Sequence, residues 1–263
     1  MPNKLYKGYM IDLDGTIYRG KERIPAAKRF IERLQKFEIP FLFVTNNSTR
    51  TPEQIVENLS KNYDIHVKKE NVYTSALATA DYIADLDEHK RQVYAVGQLG
   101  LQQALLDRGF RFNEQNPDYV VVGLDTDVTY HKLELATLAV RNGAKFIGTN
   151  PDSNLPSERG MIPSAGSIVA CIEYATQQKA TYVGKPENII MEKALEKMNL
   201  PEDQVAMVGD NYRTDIMAGI NFGMDTIIVY TGLSTKEEVA REKVQPTHQI
   251  DSLDEWQVSD EEK

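Results

Sequence analysis

The chain has 263 residues, 41 % of them hydrophobic, which is enough apolar material for one large domain or two modest ones. It carries 39 acidic residues against 30 Lys and Arg, a net charge of −9. This balance excludes nucleic acid and anionic membrane as main partners, because both select a basic face.

In chain order, the first predicted element is a short apolar strand from Tyr9 to Leu13 that stops at Asp14 and Gly15. Asp12 and Asp14 are two residues apart, so on a strand they share one side, and as the chain bends at Gly15 they converge. Convergent buried carboxylates call for a cation, although the spacing alone also fits a solvated turn. A helix with Phe30, Leu34 and Phe37 on one face precedes a second strand, Phe41 to Thr45. Thr51-Pro52-Glu53-Gln54 reads as a helix start, with Thr at the cap and Pro at the first helical position.

The middle of the chain repeats the alternation with strands at 93–96, 119–123 and 146–149. Cys171 lies in the apolar run Ile168 to Ile172 of a predicted helix and reads as a buried, inert thiol. As the only cysteine it can form no intramolecular disulfide. Val183-Gly184-Lys185 reads as a short strand ending in a lysine. Val205 to Gly209 and Thr226 to Tyr230 are continuous apolar runs, as expected of strands buried on both faces of a parallel sheet. Ser234-Thr235-Lys236-Glu237 reads as a capping box, Trp256 as a packing anchor, and the last five residues as a frayed tail.

The βαβα alternation predicts an α/β fold with a Rossmann-like, doubly wound parallel sheet. The candidate catalytic residues all lie outside the middle block. The expected organisation is therefore a core made of residues 1–78 and 181–263, with a smaller α/β domain inserted at 79–180. No apolar run approaches membrane-spanning length and no signal region opens the chain, so a cytoplasmic protein is expected.

Four strand ends carry the chemistry: Asp12 with Asp14, Thr45 with Asn46, Lys185, and Asp210 with Asn211 and Asp215. In open parallel sheets ligands bind at the carboxyl ends of the strands, so these groups are expected in one crevice. Carboxylates for a metal, and a lysine, hydroxyl and amides for a phosphate, make up a Mg²⁺-dependent phosphoryl-transfer site.

These residues resemble the motifs of the haloacid dehalogenase superfamily. Asp12-Leu13-Asp14-Gly15-Thr16 is similar to its DxDGT motif, Thr45 to the second-motif Ser/Thr, Lys185 to the third-motif lysine, and Gly209-Asp210 with Asp215 to the fourth motif. Thr45-Asn46-Asn47-Ser48, Gly148-Thr149-Asn150-Pro151-Asp152 and Gly184-Lys185-Pro186 resemble the NagD-like, 4-nitrophenylphosphatase-like branch, which carries a C2-type α/β cap. Ser164 stands where that branch usually has glycine.

The resemblance implies a phosphoric monoester hydrolase. Asp12 would be the nucleophile that forms an aspartyl-phosphate, and Asp14 the general acid and then the base. Mg²⁺ would be held by Asp12, the Asp14 carbonyl and Asp210, with Asp215 behind them. Thr45, the Asn46 amide and Lys185 would bind the phosphoryl oxygens, with Asn211 near metal or substrate. The expected partner is a small phosphorylated metabolite such as a sugar phosphate or nucleotide. Related capped enzymes include dimers, so a homodimer stays open. A phosphomutase, or a non-catalytic phosphometabolite-binding protein, are the competing readings. Asn150-Pro151-Asp152 and Ser164-Ala165-Gly166-Ser167 are expected near the substrate or, equally, as turns that hold the cap together.

Overall fold

The computed structural model describes residues 4–262 and divides into two compact units. The first contains residues 4–45, 53–73 and 185–262, and the second contains residues 46–52 and 74–184.

The sheet of the first unit has six strands, in the order His248–Ile250, Asp225–Val229, Val205–Gly209, Gly8–Ile11, Phe41–Thr45 and Val72–Thr74. Gly8–Ile11 pairs in parallel with both neighbours, Ile11 lying opposite Val208 on one side and Phe43 on the other. It is buried throughout, as are Phe41–Thr45 and Val205–Gly209. Continuous apolar runs form these strands because helices cover both faces and no alternation is needed. The helix Pro25–Lys36 shows the matching pattern: Ala26, Ala27, Phe30, Ile31 and Leu34 are buried along one stripe. Trp256 closes this core, with its indole N–H donating to the Tyr9 hydroxyl at 3.0 Å and its ring stacked on Tyr6. The late capping box forms one residue beyond the expected position. Thr235 and Glu238 make it, and the helix it opens, Lys236–Val239, is only one turn long. The tail is held rather than frayed up to Glu262, whose carboxylate accepts the Val258 N–H at 2.9 Å; Lys263 lies outside the described residues.

The second unit has a five-stranded parallel sheet in the order Thr181–Tyr182, Lys145–Gly148, Tyr119–Val122, Gln92–Val96 and Arg111–Phe112. The strand expected to lead into Lys185 is thus shorter and earlier than its sequence suggested. Thr181 and Tyr182 pair with Ile147 and Gly148, which draws the segment before Lys185 into the second unit and moves the boundary from 181 to 185. The other boundary falls at Thr74 rather than 79. The loop 46–52 also belongs to this unit, where the Gly100 N–H donates to the Thr49 carbonyl at 2.9 Å.

The helix Ala165–Thr176 buries Ile168, Val169 and Ile172 but exposes Cys171. The apolar run misled here because a helix turns 100° per residue, so a five-residue run cannot all face inward. Among the described residues, no helix is long and apolar enough to cross a membrane.

Candidate active site

Gly8–Ile11 lies between Phe41–Thr45 and Val205–Gly209, so Asp12, Thr45 and Asp210 stand at the carboxyl ends of three adjacent strands of the first unit. The Asp12 N–H continues the ladder to the Val208 carbonyl at 2.9 Å, which fixes where its side chain leaves the sheet. Asp12, Asp210 and Asp215 each offer a carboxylate oxygen within 4.8 Å of the others.

Lys185 is fully buried beside them. Its ammonium donates to Asp12 Oδ1 and to Asp215 Oδ1, both at 2.7 Å. Asp210 is held by a different set of donors. Its Oδ1 accepts from the Thr16 hydroxyl at 3.1 Å, and its Oδ2 from the Leu233 N–H at 2.7 Å. The Thr231 hydroxyl donates to the Gly15 carbonyl at 2.7 Å, tying the turn after Asp14 to the same loop. Two glycines leave room for this carboxylate. A Cβ on Gly15 would lie 2.3 Å, and one on Gly232 1.9 Å, from Asp210 Oδ2. Gly15 also adopts a φ of +98°, a conformation that side chains rarely take.

One lysine cannot balance three buried acids. Burial, and then the Asp215 charge, push the Asp12 carboxyl well above the usual range, against the pull of Lys185. Burial, with Asp215 again second, pushes Asp210 up to about 7, against the Leu233 N–H and the Thr16 hydroxyl. Burial would lower the Lys185 pKa, but Asp12 and Asp215 outweigh it and hold the ammonium charged. The unbalanced negative charge and the all-oxygen donor set fit a small divalent cation. Such a cation would relieve the repulsion that raises these pKa values.

Asp14 does not join the carboxylate group. It is exposed, and its Oδ1 accepts the Gly20 N–H at 3.3 Å. Asp215, expected behind the metal ligands, lies within the group instead. Thr45 is buried at its strand end. Asn46 belongs to the second unit, where its side chain donates to Asp152 at 3.0 Å. Asn211 acts locally: its Oδ1 accepts the Arg213 N–H and caps the turn Tyr212–Ile216, and its own N–H donates to Asp215 Oδ2 at 3.1 Å. Thr16, Gly232 and the Leu233 amide were not anticipated. Thr16 sits inside the DxDGT motif and could have been singled out. A backbone donor such as Leu233 carries no residue signature.

Comparison with known proteins shows the family. Residues 9–111 match the haloacid dehalogenase-like hydrolase family model, and residues 182–256 match the HAD-hydrolase-like model. The chain is 47 % identical to the 5'-nucleotidase YutF of Bacillus subtilis, over 96 % of this chain and 98 % of that protein. It is 53 % identical to the acid sugar phosphatase of Staphylococcus aureus, over 96 % and 97 % respectively. Its structure is similar to that of a thermostable NPPase double mutant from Geobacillus stearothermophilus, with a TM-score of 0.91 at 51 % identity over 98 % of this chain and 100 % of that one. It is equally similar to NagD from E. coli K-12, with a TM-score of 0.91 at 32 % identity over 97 % and 100 %. The chain belongs to the haloacid dehalogenase-like hydrolases, in the NagD-like branch, and is a phosphoric monoester hydrolase.

Proposed function

We propose that this haloacid dehalogenase-like hydrolase is a Mg²⁺-dependent phosphatase of small phosphomonoesters that works through an aspartyl-phosphate on Asp12. The observation that carries the reading is the Lys185 ammonium between Asp12 and Asp215, beside the Asp210 carboxylate. The names of the relatives, a 5'-nucleotidase and an acid sugar phosphatase, support nucleotides and sugar phosphates as the substrate classes.

Lys185 holds Asp12 Oδ1 and so fixes the direction of the carboxylate. An Asp12 oxygen attacks phosphorus, and the bond from phosphorus to the ester oxygen breaks. Asp14 gives its proton to that leaving oxygen. Asp14 is suited to this exchange because it stands apart from the carboxylate group and is open to solvent. It then takes a proton from water, whose oxygen attacks the same phosphorus, releasing phosphate and restoring Asp12. Thr45 and the Asn46 N–H bind the phosphoryl oxygens, and Lys185 adds a point charge beside them. Asp12, Asp210 and the Asp14 carbonyl, with Asp215 adjoining, would hold Mg²⁺, which would supply positive charge against the phosphate and the carboxylates.

The test is phosphate release from a panel of nucleotides and sugar phosphates, with Mg²⁺ and with EDTA, for the native chain and Asp12→Asn. Mg²⁺-dependent release that Asp12→Asn lowers by a factor of about 10³ or more is expected. Release unaffected by EDTA, or retained by Asp12→Asn, would refute the metal or the nucleophile respectively. Absence of release, with an acyl-phosphate trapped on the native protein, would point to group return to the substrate, as in a mutase.

A further inference from the structure

The chain passes between its two units at four points, and two of these adjoin residues of the proposed phosphate site. Thr45 is followed by Asn46, and Lys185 is preceded by Gly184. Within the second unit both of these neighbours are gripped by one polar network.

Asn46 Nδ2 donates to Asp152 Oδ2 at 3.0 Å, and the Asn46 carbonyl accepts the Ser75 hydroxyl at 2.8 Å. The same Asp152 oxygen accepts from Asn150 Nδ2 at 2.8 Å, while Asn150 Oδ1 accepts the Thr149 hydroxyl at 2.8 Å. The Gly184 N–H donates to the Thr149 carbonyl at 2.8 Å. Gly184 is packed so closely that a Cβ there would lie 2.6 Å from Asn46 Oδ1 and 2.8 Å from Asn150 Cβ. The loop carrying Asp152 is braced from behind. Its carbonyl accepts the Gly166 N–H at 2.8 Å, and a Cβ on Gly166 would lie 2.3 Å from the Pro151 carbonyl oxygen.

A carboxylate oxygen that accepts two amide donors makes two charge-assisted bonds, each stronger than its neutral counterpart. Asp152 therefore orients Asn46 and Asn150 together, and Gly184 is seated against both. Whatever fixes Asn46 also fixes the peptide that joins it to Thr45.

We propose that Asp152 is a positioning residue for phosphate binding: through the Asn46–Asp152–Asn150 network it sets the peptide after Thr45 in register with the peptide before Lys185. This rests on the phosphate-binding roles given above to Thr45, the Asn46 amide and Lys185. Asp152 acts on the phosphoryl group through these peptides and not on the leaving group. Its effect is thus common to all phosphomonoester substrates.

The experiment compares native protein, Asp152→Ala and Asp152→Asn in the full chain. It measures kcat and KM for 4-nitrophenyl phosphate and glycerol phosphate, inhibition by inorganic phosphate, and thermal stability. Asp152→Ala is expected to lower kcat/KM about tenfold for both substrates, with a parallel weakening of phosphate inhibition. Asp152→Asn, whose amide oxygen can accept both bonds, is expected to recover activity to within about threefold of native. Should Asp152→Ala not fold, Asp152→Ser, which withdraws the acceptor, takes its place. Native kinetics and native phosphate inhibition in the variant would overturn the proposal. So would a loss confined to one substrate, which would make Asp152 a leaving-group contact, or a loss that left phosphate inhibition unchanged. Native protein that neither turns over nor binds phosphate would instead refute the parent reading, before any variant is compared.

Discussion

Lys185 lies 173 residues from Asp12 in the chain and 2.7 Å from it in space. The ammonium is the positive member of a buried group that holds three carboxylates. The expected behaviour of the site follows from that imbalance.

Replacing Lys185 by Met keeps most of its apolar stem and removes its charge. Asp12 and Asp215 then lose their shared donor while remaining buried. Breaking such a buried pair costs about 3–5 kcal/mol. Chemical denaturation without metal should show a loss of this size, and Mg²⁺ should recover part of it. Turnover should not return, because the charge on the phosphate side is still missing.

Asp210 binds its proton more tightly in the folded chain, with a pKa of about 7, than in the unfolded one, near 3.8. Asp12 is shifted in the same direction. Between these two values the native state holds more protons than the unfolded state, so metal-free stability falls as pH rises through that window. Mg²⁺ binding competes with the same protons. The rise in Tm on adding Mg²⁺ should therefore be larger at about pH 8 than at about pH 5. An equal rise at both would separate Asp210 from the metal.

Gly232→Ala places a methyl where Asp210 Oδ2 now lies, 1.9 Å away, so the carboxylate must move. Its bond from the Leu233 N–H should weaken, and the Mg²⁺ concentration for half-maximal activity should rise about tenfold or more. A Mg²⁺ titration of phosphate release reads this directly. Gly143→Ala is the control: nothing lies within 4 Å of a Cβ there and no residue of the proposed site adjoins it in the chain, although its positive φ adds some strain of its own.

Cys171 is exposed on the helix Ala165–Thr176. A thiol reagent should modify one equivalent in the native protein without denaturant. Phosphatase activity should survive, because no site residue proposed here adjoins Cys171 in the chain.

The inner strands of both sheets were legible because continuous apolar runs leave few other structures open, and Asp12 through Thr16 pointed to the candidate site in five residues. Three things were not legible, each for a physical reason. The strand Thr181–Tyr182 is two residues long, and its place is decided by its partner Ile147–Gly148 rather than by its own pattern. Cys171 faces out because helical rotation overrides local composition. The Asp210 cradle is built largely from a backbone N–H and from glycines whose contribution is empty space, and neither has a side chain to read.

The position of Gly8–Ile11 has a bearing on synthesis. This strand precedes one of its two partners, Val205–Gly209, by the whole of the inserted unit, and Trp256, which caps Tyr9, follows later still. The second sheet is complete once Tyr182 has been added. On the ribosome the inserted unit can therefore fold while Gly8–Ile11 still waits for that partner, and Asp12, the proposed nucleophile, is not set in place until Val205–Gly209 has been made.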